Sequence, residues 1–410
     1  MADSAFAAAD PSRPQAEHGR TIQQLALRKS NNQSIVRLTS SVFYVHKDTR
    51  IFDVQDALRN TTNLQALAVV DDALRAQGII VRRDFFAVMA RPYAQDVFKN
   101  HPVSEVMSNV RTFRDDENLF TVAEDIDADM RSPGINYYLL VGDDEGFRGI
   151  FSSQDMLVYL SQITQNDIAL ARKLQSRIVK EREFIVGNHL EIVSTSRTAK
   201  GVGGDFYEIR EYAPGRWMVA MCDVSGKGVA ASIITSVLWG MMSLYDFTNG
   251  LVPFIRELNN YLVRTFETEK FVTAVFLDYD EASGRVTVCD MGHSHFYLFR
   301  DNELKHINTN QSNLPIGIVP DIEPNVDDFS PRQDDVLFVL TDGLIEQEDI
   351  EGREYDMNRV ASVFQQYADQ PVEVMGDRLL EDFNKFRGKR NLSDDVTYSI
   401  IRFAPQAVRL

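Results

Sequence analysis

The chain has 410 residues, 44% hydrophobic and 25% charged, with a formal net charge of −17. That is ordinary globular composition, and the length suggests two or three domains. The negative balance argues against a nucleic-acid-binding surface.

Residues 1–34 read as a disordered tail and lead-in. Met1 to Arg20 is rich in Ala, Ser, Pro and Asp and lacks the basic and apolar succession of a signal peptide. The most apolar stretch, Val229 to Leu244, is interrupted by Ser232, Thr235, Ser236 and Gly240. It reads as a buried helix, so a cytoplasmic protein without a membrane partner is expected. Cys222 and Cys289 each sit in an apolar strand-like run and read as buried structural thiols, not a redox pair. No histidines stand at a spacing that would let them form a zinc site.

The first third contains an internal repeat. Ala66-Leu67-Ala68-Val69-Val70-Asp71-Asp72 matches Tyr137-Tyr138-Leu139-Leu140-Val141-Gly142-Asp143, and Gly78 to Asp84 matches Gly149 to Asp155 at the same offset. Each unit reads helix, apolar strand, acidic turn, apolar strand, then Asp opening a second helix. A fixed-offset repeat implies two equivalent units on a shared core. Residues 35–160 resemble a tandem pair of cystathionine-β-synthase-type (CBS) modules. The resemblance implies adenine-nucleotide clefts with a ribose-binding Asp shortly after a Ser or Thr. Asp155, after Ser152 and Ser153, matches; Asp84, after Val81-Arg82-Arg83, lacks the hydroxyl. Two readings of Asp84 and Asp155 stand: nucleotide ligands, or helix N-caps in a ligand-free dimerisation module.

Residues 161–186 are expected to form a helical, coiled-coil-like linker. Leu157 to Phe184 contains no proline or glycine, and Leu160, Ile163, Leu170, Leu174 and Ile178 recur at steps of three, four or seven. So narrow an apolar stripe suits pairing with a second copy, and a homodimer through linker and CBS pair is expected.

Beyond Gly187 the pattern turns to strands. Trp217 to Cys222, Lys270 to Tyr279, Arg285 to Asp290, Val336 to Leu340 and Val396 to Phe403 read as strands, with a hairpin turn over Glu281 to Gly284. Val229 to Tyr245, Pro253 to Thr265 and Val372 to Arg387 read as helices. The mixture suggests a layered α+β sandwich. Short acidic motifs flank several strands: Gly203-Gly204-Asp205-Phe206-Tyr207, Asp223-Val224-Ser225-Gly226-Lys227-Gly228, Thr341-Asp342-Gly343 and Asp394-Asp395. Carboxylates at strand ends can converge on one rim, where they repel unless hard cations neutralise them. Two Mg²⁺ or Mn²⁺ ions held this way suit phosphate-ester hydrolysis by activated water.

These motifs, with Ala171-Arg172-Lys173-Leu174-Gln175, Thr273-Ala274, Gly292-His293 and Leu314-Pro315-Ile316-Gly317, resemble the metal-dependent serine/threonine protein phosphatases (PPM), in particular their bacterial SpoIIE-like branch. The resemblance covers about Asp167 to Phe403 and implies an α-β-β-α sandwich over residues 187–410. It implies that Asp223 bridges two Mn²⁺ or Mg²⁺ ions and that Val224 offers its carbonyl. Asp205 would hold one ion, and Asp342 and Asp394 the other. The implied partner is a phosphorylated protein, such as an anti-sigma-factor antagonist. Several positions depart from the family pattern: Glu208 stands where Asp is common, Met291 precedes Gly-His, and His295 replaces a small or polar residue. His293 and His295 read as structural, Ser225 as a turn residue, and Asp395 as a surface carboxylate in preference to an outer metal group. The competing functional reading is a nucleotide-sensing scaffold that binds a phosphoprotein without hydrolysing it.

Overall fold

The computed structural model describes residues 21–25, 35–266, 269–309 and 313–403. The tail expected over Met1 to Arg20 lies outside them. The chain divides into two compact units, Met1–Gln165 and Asn166–Leu410.

The first unit carries the repeat in its backbone. Strand Phe43–His46 pairs parallel with Ala66–Val70, which pairs antiparallel with Ala76–Val81. Thr112–Arg114, Tyr137–Val141 and Phe147–Ser152 repeat that arrangement. Equivalence reaches fine detail. A register irregularity falls at Val69/Val70 and again at Leu140/Val141. Leu74 and Glu145 occupy matching turn positions with φ of 59° and 58°. The Arg82 N–H donates to the Gln65 carbonyl, as the Ser153 N–H does to that of Asn136. Tyr44, Ala68 and Ile79 of one module pack with Leu139, Phe147 and Ile150 of the other in a common core. Neither module could bury that face alone.

Helix Ser153–Gln175 leaves this unit, with Tyr159, Leu160 and Ile163 packed against its core. The structure corrects the linker expectation here. The helix ends at Gln175, and Arg182–Val186 is a strand paired with Leu190–Arg197. The run Phe184-Ile185-Val186 is aromatic and β-branched, and a neighbouring strand offers its backbone partners, so sheet pairing overrides the helical spacing. Leu160 and Ile163 are used in packing, whereas Leu170 and Leu174 are more than half exposed. The apolar stripe is thus not a single continuous seam.

The second unit is an α-β-β-α sandwich. Strands Phe206–Ala213, Arg216–Val224, Val272–Asp280, Arg285–Met291 and Asp327–Phe329 form one antiparallel sheet in that order. Glu303–His306, Phe296–Arg300, Val336–Leu340, Val396–Phe403, Leu190–Arg197 and Arg182–Val186 form the other. Alternation along the strands separates three apolar layers. Met218, Ala220 and Cys222 face helices Val229–Leu244 and Leu251–Phe266, while Trp217, Val219 and Met221 face the opposite sheet. Phe338 and Leu340 face helices Met357–Tyr367 and Val372–Arg387, while Leu337 and Val339 turn into the sandwich. Each large side chain buried this way contributes roughly 1.5–3 kcal/mol of transfer free energy. Both cysteines are buried and free.

Candidate metal centre

Register brings the acidic motifs to one end of the sandwich. Phe206 pairs with Cys222, so Asp205 and Asp223 stand at the same end of an antiparallel pair. In the facing sheet Leu340 pairs with Tyr398, which puts Thr341-Asp342 and Asp394-Asp395 together. Hydrogen bonds tie the sheets across this end. The Thr341 hydroxyl donates to Asp205 Oδ2 at 2.8 Å, and the Gly204 N–H donates to Asp395 Oδ2 at 2.8 Å.

Two glycines permit the approach. A Cβ on Gly343 would stand 2.0 Å from the Asp395 carbonyl oxygen and 3.0 Å from Asp394 Cβ. A Cβ on Gly204 would stand 2.9 Å from the Val224 carbonyl oxygen. The third and fourth motifs therefore meet at Gly343, and the first and second at Gly204. No side chain larger than hydrogen fits at either place without displacing backbone.

The carboxylates share a strong negative field. Burial, then repulsion from Asp223 and Asp395, pushes Asp205 well above the usual carboxylate range. Asp223 is pushed up to about 7, by burial first and then by Asp342, Asp394 and Asp395, with Lys227 opposing. Lys227 Nζ lies 2.6 Å from Asp394 Oδ2 and donates to the Ser393 carbonyl. Among the described residues no three His, Cys, Asp or Glu side chains stand close enough to enclose an ion as placed. The fit to a divalent cation rests on the donor set instead. Carboxylate oxygens and the nearby Val224 carbonyl suit hard cations, and positive charge there relieves the repulsion.

Other positions have different tasks. Asp395 is not the surface carboxylate expected; it is 5% exposed. Its Oδ1 accepts the Ala199 N–H at 2.7 Å while Oδ2 holds Gly204, so backbone bonding in the interior claims it. Glu208 pairs with Arg210 at 2.7 Å, and its other charged neighbours are Glu183 and Lys180, not the four aspartates. His293 is buried, donates through Nε2 to the Leu340 carbonyl at 2.8 Å, and is pushed down to about 4 by burial. His295 is lowered by burial as well, with Asp342 nearby. The Ser225 hydroxyl accepts the Phe271 N–H at 3.0 Å, a cross-strand contact beside the Val224–Val272 pair.

Thr341, Lys227 and Gln175 have tasks here that their residue types alone do not announce. Gln175, at the end of its helix, grips Gly203 from both sides, donating to its carbonyl at 2.7 Å and accepting its N–H at 3.0 Å. Position inside or beside the quoted motifs was the available signal for all three. In the other unit the Asp155 carboxylate accepts from the Ser152 N–H and hydroxyl at 2.8 and 2.6 Å, and Asp84 pairs with Arg83 at 2.8 Å.

Residues 213–404 match the family model for stage II sporulation protein E (SpoIIE), and residues 34–91 match that for the CBS domain. Over 249 residues the chain is 24% identical to the phosphoserine phosphatase RsbP of Bacillus subtilis (strain 168), covering 58% of each protein. It is 26% identical over 213 residues to stage II sporulation protein E of Priestia megaterium, covering 50% of this chain and 35% of that one. The chain thus spans less than two thirds of the length of these relatives. Among solved structures, the SiaA-PP2C domain of Pseudomonas aeruginosa superposes with a TM-score of 0.49 at 15% identity, covering 60% of this chain and 98% of that one. The phosphatase-domain fragment of SpoIIE from Bacillus subtilis gives 0.44 at 20%, covering 52% and 63%.

Proposed function

We infer, for a chain that carries a SpoIIE-family domain behind a CBS domain, that the acidic rim is the centre of a metal-dependent phosphoserine/phosphothreonine protein phosphatase. The observation that carries this reading is the gathering of Asp205, Asp223, Asp342 and Asp394 at one end of the sandwich, with Asp205 and Asp223 pushed up by burial and mutual repulsion. The printed name of the Bacillus subtilis relative supports the substrate class.

Two Mn²⁺ or Mg²⁺ ions would supply positive charge and an acidified water for in-line attack on phosphorus. Asp223, with the Val224 carbonyl beside it, would hold them together with Asp205, Asp342 and Asp394. Thr341 fixes the direction of one Asp205 oxygen. Asp395 and Gln175 hold the Ala199–Gly204 backbone that delivers Asp205. Ser225, with its hydroxyl engaged by the Phe271 N–H, is not needed as a nucleophile.

The remaining parts belong to the same proposal. The CBS pair would sense a ligand, an adenine nucleotide at Asp84 and Asp155 being the specific candidate, and helix Ser153–Gln175 would connect it to the phosphatase domain. Exposed Leu170 and Leu174 support pairing of two copies along that helix. The substrate would be a small phosphorylated regulator such as an anti-sigma-factor antagonist. No helix among the described residues is long and apolar enough to cross a membrane, which is compatible with a cytoplasmic site of action. The test is release of inorganic phosphate from a phosphoserine peptide by the full chain. Release that requires added Mn²⁺ and stops with chelator supports the reading; a full chain inert with every divalent cation favours the scaffold.

A further inference from the structure

A cavity of about 560 Å³ opens beside Asp205, lined by the end of helix Ser153–Gln175, the end of strand Leu190–Arg197 with the residues that follow to Gly201, and the end of helix Val372–Arg387 with the segment after it. Four cationic residues line it: Arg172, Arg197, Lys200 and Arg387. Most arginines of this unit are neutralised elsewhere. Arg182 pairs with Asp377, Arg210 with Glu208, Arg300 with Asp335 and Arg359 with Asp382. Among the described residues none of the four cavity cations has a carboxylate partner, although the chain carries 60 Asp and Glu against 43 Lys and Arg. Among the described residues Arg387 donates to the Asn384 side chain and the Arg390 carbonyl. Among the described residues, the acidic ones on the wall are Glu181 and Asp205.

The wall is built into the same backbone as the acidic rim. Gln175 lines the cavity and clamps Gly203, two residues before Asp205. Ala199, also on the wall, donates its N–H to Asp395. A ligand held by Arg197 and Lys200 therefore sits against the segment that positions Asp205. Unpaired cations converging on a concave site favour anions, and the opposite net charge of the rest of the chain makes the local sign selective.

We propose that this cavity is a second recognition site for the phosphorylated protein, taking acidic side chains that flank the phosphoserine. It rests on the reading of the acidic rim as the phosphatase centre and adds a substrate preference to it. Asp205 belongs to both the rim and the cavity wall, so a carboxylate that flanks the phosphoserine can lie at the wall while the phosphate lies at the rim. Free phosphate can meet the rim or the wall, whereas a phosphopeptide with flanking carboxylates can meet both at once.

The experiment compares two fluorescent phosphoserine peptides that differ only in three flanking Asp residues replaced by Asn. Their binding to the full chain is read by anisotropy with Mn²⁺ present, at low and high salt. The Asp-flanked peptide is expected to bind at least about fivefold tighter, with the difference shrinking in salt. In Arg197→Gln/Lys200→Gln the difference should vanish, and in Arg172→Gln, on a separate element, it should fall. Equal binding of the two peptides by the wild-type chain, or an undiminished preference in both variants, overturns the proposal. Turnover is scored separately on the same peptides. A binding preference without phosphate release would sink the phosphatase reading and leave this site standing; release without preference would do the reverse.

Discussion

The carboxylate of Asp395 accepts the backbone N–H of Gly204 at 2.8 Å, joining positions 191 residues apart at the centre of the acidic rim. Its other oxygen accepts the Ala199 N–H at 2.7 Å. One buried side chain thus fixes the loop that carries Asp205.

Asp395→Asn should damage this arrangement although it is nearly isosteric. An amide keeps one acceptor oxygen and turns an NH₂ toward a backbone donor. The expected cost is about 1–3 kcal/mol, read from urea denaturation, with faster hydrogen exchange at the Ala199 or Gly204 amide. Wild-type stability and exchange would show that Asp395 does not organise the loop.

Gly343→Ala and Gly240→Ala make a paired test of close approach. A Cβ at 343 meets the Asp395 carbonyl at 2.0 Å, whereas at 240, inside helix Val229–Leu244, it meets nothing within 4 Å. The first should destabilise by about 3 kcal/mol or more and weaken Mn²⁺ binding. The second should stabilise by roughly 0.5–1 kcal/mol through helix propensity. Equal effects in thermal unfolding would refute the contact.

Thr341→Val removes the hydroxyl that donates to Asp205 and accepts the Thr397 N–H at 3.0 Å. Two buried polar groups lose a partner, for an expected loss of about 1–3 kcal/mol, and Thr341→Ser should restore most of it. A valine variant as stable as the parent would contradict this role.

The raised Asp223 gives the metal-free chain a defined pH response. An unfolded Asp ionises at about 3.9; in the folded chain Asp223 is pushed up to about 7. Between these values the folded state holds the extra proton, so stability falls as pH rises and the penalty stays in full above the upper value. Asp205 is shifted the same way. Thermal midpoints measured in chelator should therefore decline across this window, and added Mn²⁺ should reverse the decline. A flat or rising profile in chelator would show that the carboxylates do not repel as described.

Much of the fold was legible because local chemistry and tertiary demand agree. Val336–Leu340, Val396–Phe403 and helix Val372–Arg387 appear with the bounds that their apolar runs suggest. The repeat offset fixed two like modules, since it carries both strands and turns. Residues 182–186 were misread because helical spacing and β-branched content conflict there, and only the neighbouring strand decides between them. At the rim the four aspartates were legible as strand-end carboxylates. The tasks of Asp395 and Gln175 were not, because each depends on a backbone segment brought in from far along the chain.

Calorimetric titration of Mn²⁺ into the full chain and into Asp223→Asn tests the central claim most directly. A shared two-ion centre predicts two ions bound by the wild-type chain and loss of at least one in the variant, whose fold remains intact by circular dichroism. A wild-type chain that takes up no Mn²⁺, or a variant with unchanged stoichiometry and affinity, would contradict it.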